Sequence, residues 1–436
     1  MLIPTPRLWW LVGAGIPLAL GGAFVPGLES LVLPWNVALL VLFFVTGQIA
    51  KKWDLVEVDR RMDPVLSARA ANSIRLRVRN LADQTIRIRL KDDPPPLVVA
   101  DHPEWNLTLR PGEERDLRYS VTPLRRGQER FGGVFIRYQA PLGLCEVQQL
   151  LPVQEEVRVY PNVLALQEYD LLKQKGHLNQ IGVRRSRIRG LGQEFESLRD
   201  YADDDMRMVD WKATARRGRL VVKQFQEERN QAVFLCIDVG RTMLGEVEGV
   251  PKLDYALDAA LMLMHAAKDK GDQVGMMVFN DAVHSLSLPR KGRAQVASIL
   301  ERIHDVRAEA VQSDYLAAIA FLRARWKKRS LVVIFTDAED PDAARELAAA
   351  VSQLRRQHLV FVVRVDDPKM KELEGYIPTN RYEMYRRAAT HWYRSERNQA
   401  SNILASSGVQ NIDSEPQDLS AALVTAYLVV KERALI

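Results

Sequence analysis

Three stretches of the chain place oxygen-bearing side chains directly after, or directly before, apolar patterns. Ile237-Asp238-Val239-Gly240-Arg241-Thr242-Met243 closes the apolar run Val233 to Ile237. Phe335-Thr336-Asp337-Ala338-Glu339-Asp340 closes the run Leu331 to Thr336, and Gln312-Ser313-Asp314-Tyr315 opens a helical pattern. In an open α/β sheet, functional side chains collect at the carboxyl ends of the strands. Carboxylates and hydroxyls from three such loops could meet and hold a hard cation through oxygen, as magnesium prefers. The plainer alternative is that Asp238 and Asp337 cap neighbouring loops and helices.

Other chemistry finds little support in the residues. No Gly-rich loop ends in Gly-Lys-Ser/Thr, so ATP is not expected to bind in that way. There is no Gly-x-Ser-x-Gly elbow, His-Glu-x-x-His pair or Cys/His cluster. The seven histidines are scattered and read as structural. Asp203-Asp204-Asp205 reads as a solvated loop. The two cysteines, Cys145 and Cys236, lie in apolar runs and read as buried reduced thiols, which excludes a disulfide scaffold. The expectation is a protein that is not an enzyme. The runner-up is a metal-dependent hydrolase using Asp238, Asp337 and Asp340.

The elements that must position these residues follow from periodicity. From Ala232 onward, continuous apolar strands alternate with amphipathic helices, which predicts a doubly wound α/β domain over 232–436. Its strands are expected at Val233 to Ile237, Gln273 to Phe279, Leu331 to Thr336 and Leu359 to Val365. Residues 54–160 carry period-two runs such as Ile74-Arg75-Leu76-Arg77-Val78-Arg79, bounded by Pro- and Gly-rich turns, and predict a β-sandwich of immunoglobulin-like type. The arginines of those runs form a solvated face, or lie near acidic lipid headgroups. Between the two, 161–231 reads as a charged connector without clear periodicity.

Residues 1–53 are different. Leu8 to Val25 and Leu31 to Ala50 contain no charge, and each is about as long as a bilayer requires, roughly 17–25 residues. They predict a two-helix transmembrane hairpin rather than a cleaved signal. Arg7 precedes it and Lys51, Lys52, Arg60 and Arg61 follow it, while the short turn carries only Glu29. By the positive-inside rule, both ends and the soluble domains face the cytoplasm. At 436 residues, with 47% apolar and 27% charged, the composition is otherwise globular. The net charge of +6 is too small to point to nucleic acid, and the basic run Arg184 to Arg189 lacks interleaved aromatics for base stacking.

The three loops together resemble a von Willebrand A domain, a family with an Asp-x-Ser-x-Ser motif, a Thr from a second loop and an Asp from a third. The resemblance implies a metal site made by Asp238, Thr242, Ser313 and Asp337. It is degenerate, because Gly240 stands where the middle serine should supply a hydroxyl. Magnesium is therefore an optional cofactor.

A longer resemblance rests on Gly192-Gln193-Glu194-Phe195-Glu196-Ser197-Leu198-Arg199-Asp200-Tyr201, Asp204 to Arg207, Asp210-Trp211-Lys212-Ala213-Thr214-Ala215-Arg216 and Leu220 to Phe225. It is similar to the signature of the bacterial family called domain of unknown function fifty-eight. That resemblance implies a bacterial inner-membrane protein acting with a MoxR-type AAA+ ATPase, as an adaptor or chaperone-like assembly factor for an unknown client. The mixed charge of the signature suits ion-paired docking of the connector onto the α/β domain. Its functional alternative is a partner surface made by Arg199, Arg207, Asp210, Trp211, Lys212 and Arg216.

Overall fold

The structure, a computed structural model, describes residues 1–21, 28–162, 165–166, 170, 194–200, 209–226, 231–375 and 377–433. The chain forms two compact units, Met1–Tyr160 and Pro161–Ile436.

The first unit is strand-rich. A five-stranded, a four-stranded and a three-stranded sheet enclose one core that includes Leu66, Ile74, Leu76, Leu90, Leu109 and Ile136. In the strand Asn72–Asn80 every second side chain is buried, as the period-two pattern requires. Its arginines face outward and pair across the sheet, Arg77 with Asp116 at 3.3 Å and Arg79 with Glu114 at 3.6 Å. Inside, Arg60 and Asp92 form a fully buried pair that Tyr119 joins through its hydroxyl.

The apolar start of the chain is built in pieces. Leu2–Pro4 is an edge strand, antiparallel to Cys145–Leu151. The first expected span is interrupted: helices Pro6–Gly13 and Gly15–Gly21 flank a turn at Ala14, and residues 22–27 lie outside the described set. Glycine on both sides of Ala14, and Pro17 beyond it, disfavour a continuous helix there. Among the described residues, one helix, Val32–Lys51, is long and apolar enough to cross a membrane by length and composition. Its last turns pack on the sandwich, where the Tyr138 hydroxyl donates to the Ala50 carbonyl at 2.7 Å and Gln149 Nε2 to that of Lys51 at 2.5 Å. Its earlier turns expose Leu33, Leu40 and Phe44.

The second unit is built on a six-stranded sheet. Its strands are β1 (Ala232–Asp238), β2 (Gln273–Phe279), β3 (Val283–Arg290), β4 (Leu331–Phe335), β5 (Leu359–Val365) and β6 (Gln410–Ser414), in spatial order β3-β2-β1-β4-β5-β6. All neighbours are parallel except β2 and β3. Every residue of β1 and β4 is buried, because helices cover both faces. On one face lie α1 (Lys252–Asp269), α2 (Arg293–Ile303) and α7 (Pro416–Glu432), packed on Leu235, Ile237, Val333 and Phe335. On the other lie α3 (Tyr315–Arg325), α4 (Pro341–Leu354) and α6 (Arg381–Ser406), packed on Phe234, Cys236, Val332 and Ile334. A further short helix, α5, spans Pro368–Gly375. Cys145 and Cys236 are both buried and unbridged.

The stretch read as an aperiodic connector contains regular structure. Glu194–Asp200 pairs antiparallel with Val221–Gln226, and a helix spans Trp211–Arg217 between them. Val221 and Val222 are buried, which is where this pair gains its apolar support.

Candidate functional site

Chain order reverses between β1 and β4. From β1 the sheet grows one way through β2 and β3, and from β4 the other way through β5 and β6. Such a reversal opens a crevice at the carboxyl ends of the two central strands. Asp238 is the last residue of β1, and Thr336 and Asp337 directly follow β4. Both aspartates are buried, at 0% and 1% exposure.

Asp238 is surrounded by neutral donors. The Gly240 amide donates to its Oδ1 at 2.8 Å and the Ser313 hydroxyl at 2.5 Å. Its Oδ2 accepts from Thr336 Oγ1 at 2.6 Å and from the Tyr315 hydroxyl at 3.3 Å. Burial pushes this carboxyl above its ordinary pKa, and the four hydrogen bonds oppose that rise without cancelling it. Gly240 is what lets Ser313 come so close. A Cβ at residue 240 would overlap Ser313 Oγ and stand 2.9 Å from the Val311 carbonyl.

Asp337 is surrounded by cations. Lys252 Nζ lies 2.5 Å from its Oδ2, and Arg397 Nη1 lies 2.8 Å from its Oδ1. The same ammonium pairs with Glu339, which also accepts from the Tyr393 hydroxyl at 2.5 Å. Arg397 continues to Asp413 at 2.8 Å, and Asp413 to the fully buried Arg364 at 2.5 Å. Burial alone would raise the pKa of Asp337, but Arg397 and Lys252 outweigh it and hold it below the ordinary value. Burial and the neighbouring Asp337 push Glu339 the other way. For Lys252, burial would lower the pKa, and the charges of Asp337 and Glu339 reverse the sign and raise it.

Of the four residues expected to hold a metal, Asp238, Ser313 and Asp337 lie at the carboxyl edge of the two central strands, but not as an open donor set. Asp238 and Ser313 are bonded to each other, and Asp337 is neutralised by two cations. Thr242 Oγ1 is buried with no hydrogen-bond partner among the described residues. A hard divalent ion can complete its six oxygens with water but is held by one or two carboxylates, and here Asp337 is already neutralised by two cations and Asp238 already accepts four hydrogen bonds. Arranged this way, the residues do not fit magnesium. Capping is carried out by the next acids along: Asp314 accepts from the Ala317 amide at 2.8 Å, and Asp340 from the Ala343 amide at 2.8 Å.

Of the expected partner surface, Trp211, Lys212 and Arg216 are exposed, Trp211 at 63%. Asp210 caps their helix, accepting from the amides of Lys212 and Ala213 at 3.0 Å each. Arg199 lies on a paired strand opposite Val222. Arg207, the basic run at 184–189 and the acid run at 203–205 lie outside the described residues.

Lys252, Arg364 and Arg397 were not among the residues read from the sequence as candidates. The visible signal was Arg364, a lone charge in the apolar strand Leu359-Val360-Phe361-Val362-Val363-Arg364-Val365. Such a residue is almost never fully buried without a partner.

Residues 197–381 match the family model described as Protein of unknown function DUF58. Uncharacterized proteins of Mycobacterium tuberculosis and Mycobacterium bovis are 30% identical over 190 residues, which is 43% of this chain and 59% of theirs. The chain thus spans about three fifths of the length of those relatives. Among solved structures, the conserved hypothetical protein BatB from Bacteroides thetaiotaomicron matches at TM-score 0.31 and 16% identity, over 47% of this chain and all of that one. The CARDB domain of a Pyrococcus furiosus protein matches at TM-score 0.18 and 15% identity, over 24% of this chain and 90% of that domain.

Proposed function

We propose that this chain, which carries a DUF58 region at residues 197–381, is a membrane-anchored, non-enzymatic adaptor. Its α/β unit is read as von Willebrand A-like and as the partner-binding module. A MoxR-type AAA+ ATPase is its working partner, acting on a client protein, and the partner and the client role are both drawn from the family resemblance. Residues 1–53 are read as a two-span hairpin in the bacterial inner membrane, with both termini and the soluble domains in the cytoplasm.

The observation that carries the reading is how the carboxyl edge of the sheet is spent. Asp238, Ser313, Asp337, Glu339 and Asp340 are all engaged in hydrogen bonds or ion pairs within the chain. Such a closed network holds loops in one arrangement, which suits a surface that must be presented to a protein. A hydrolase would need a carboxylate free to activate water, and Asp340, the third acid of that alternative, is taken up as a helix cap. The exposed apolar turns of Val32–Lys51 support the anchor.

The test is a detergent-solubilised co-purification of the full chain from its native host, with the recovered proteins identified by mass spectrometry. Recovery of an AAA+ ATPase is expected. The triple exchange Trp211→Ala, Lys212→Glu and Arg216→Glu, which touches only exposed side chains, should cut that recovery at least tenfold. If the wild-type chain recovers no ATPase, the adaptor reading fails.

A further inference from the structure

We infer that Lys252 is the resident cation of this site. Its ammonium gives Asp337 and Glu339 the positive charge that a divalent ion would otherwise have to supply, and the edge of the sheet is complete without metal. The inference deepens the reading above and rests on it only for the likeness to a metal-bearing domain.

Three independent features point this way. The first is placement. Lys252 is the first residue of α1, where the helix dipole disfavours a cation. It is nevertheless only 6% exposed, although lysine ordinarily keeps its ammonium in water. A lysine held against both tendencies needs a strong local counter-charge, and Asp337 and Glu339 provide it.

The second is charge balance. Lys252, Arg397 and Arg364 face Asp337, Glu339 and Asp413 in one connected network across α1, α6, β5, β6 and the loop after β4, and Asp366 joins it 3.9 Å from Arg397. The set carries one more negative than positive charge. An added divalent ion would turn that into an uncompensated positive charge in a buried place, which is unfavourable.

The third is Gly240. The space that a serine side chain would need there is filled by Ser313 Oγ, and Ser313 is bonded to Asp238. The β1 side of the crevice has closed on itself with neutral donors, while the β4 side has closed with cations.

The experiment uses the full chain in detergent and Mn2+ as the probe, with bound ion read from loss of the free-ion paramagnetic resonance signal. Uptake is taken as the difference between matched chains with and without Asp337→Asn, so that ions bound elsewhere cancel. With Lys252 intact, no difference is expected, and the melting temperature should be the same in magnesium and in chelator. With Lys252→Met, the difference should rise to one ion per chain, and magnesium should raise the melting temperature. Lys252→Arg should behave as the wild type. A difference of one ion with Lys252 intact overturns the inference. So does a folded Lys252→Met chain that shows no difference. Should Lys252→Met not fold, as judged by circular dichroism, Lys252→Gln is measured in its place by the same criteria. No partner enters this readout, so its failure and the failure of the adaptor reading are separate results.

Discussion

Asp238 and Asp337 occupy matching positions, at and just beyond the carboxyl ends of two adjacent strands, and both are shut away from water. Their surroundings are opposite. Asp238 is held by three hydroxyls and an amide, and its pKa is raised. Asp337 is held by an ammonium and a guanidinium, and its pKa is lowered. Two acids in equivalent places on a sheet thus have different electrostatic roles, and the difference is set by side chains that arrive from distant helices. Lys252 and Arg397 lie far from Asp337 in sequence; of the donors to Asp238 only the Gly240 amide comes from its own loop, and the hydroxyls of Ser313, Tyr315 and Thr336 arrive from comparable distances along the chain.

The largest effect should come from breaking the charged side of the pair. Asp337→Ala leaves Lys252 and Arg397 facing each other in a buried place, and should cost about 3–5 kcal/mol by urea denaturation. On the neutral side, Asp238→Ala should cost about 1–3 kcal/mol, because the orphaned hydroxyls can turn towards one another. If Asp238→Ala proves the costlier of the two, the contrast between the sites is wrong.

Gly240→Ser should destabilise by about 1–3 kcal/mol through overpacking against Ser313, and Ser313→Ala in the same chain should recover much of that loss. The smallest effect is in pH. Because the pKa of Asp337 is depressed, the stability it contributes is present above its ordinary 3.8 and is lost as pH falls through the folded value. Because the pKa of Asp238 is raised, its contribution is fullest below 3.8 and declines as pH rises through the folded value. Denaturation midpoints from pH 3 to 7 should therefore shift in opposite directions for Asp337→Asn and Asp238→Asn. At the alkaline end, the raised pKa of Lys252 keeps its contribution intact below 10.5, and that contribution is lost only above it.

Much of the second unit was legible because its central strands are buried on both faces and its helices are amphipathic. Gln273–Phe279 and Leu359–Val365 run where the apolar pattern places them, and α1 ends beside Gly271 as its sequence implies. The edges were not legible. In β3, Val283–Arg290, most side chains are partly open to solvent, and β6 reads Gln410-Asn411-Ile412-Asp413-Ser414, so neither carries an unbroken apolar run. The aspartates of the site were legible from type and position. Their partners were not, since Lys252 and Arg397 sit in helices whose polar residues look like ordinary solvent-facing ones until the helices are packed.

The apolar segment near the start of the chain has a mechanical consequence. Residue 4 ends an edge strand, and residues 50 and 51 are bonded to neighbouring strands of that same sheet. The intervening stretch therefore leaves from and returns to one rigid body. A single tether would let the sandwich swivel, whereas two closely spaced attachments resist rotation. Load applied to the apolar segment would be divided between the strand ladder at Leu2–Pro4 and the hydrogen bonds at residues 50 and 51, like a bracket fixed by two bolts.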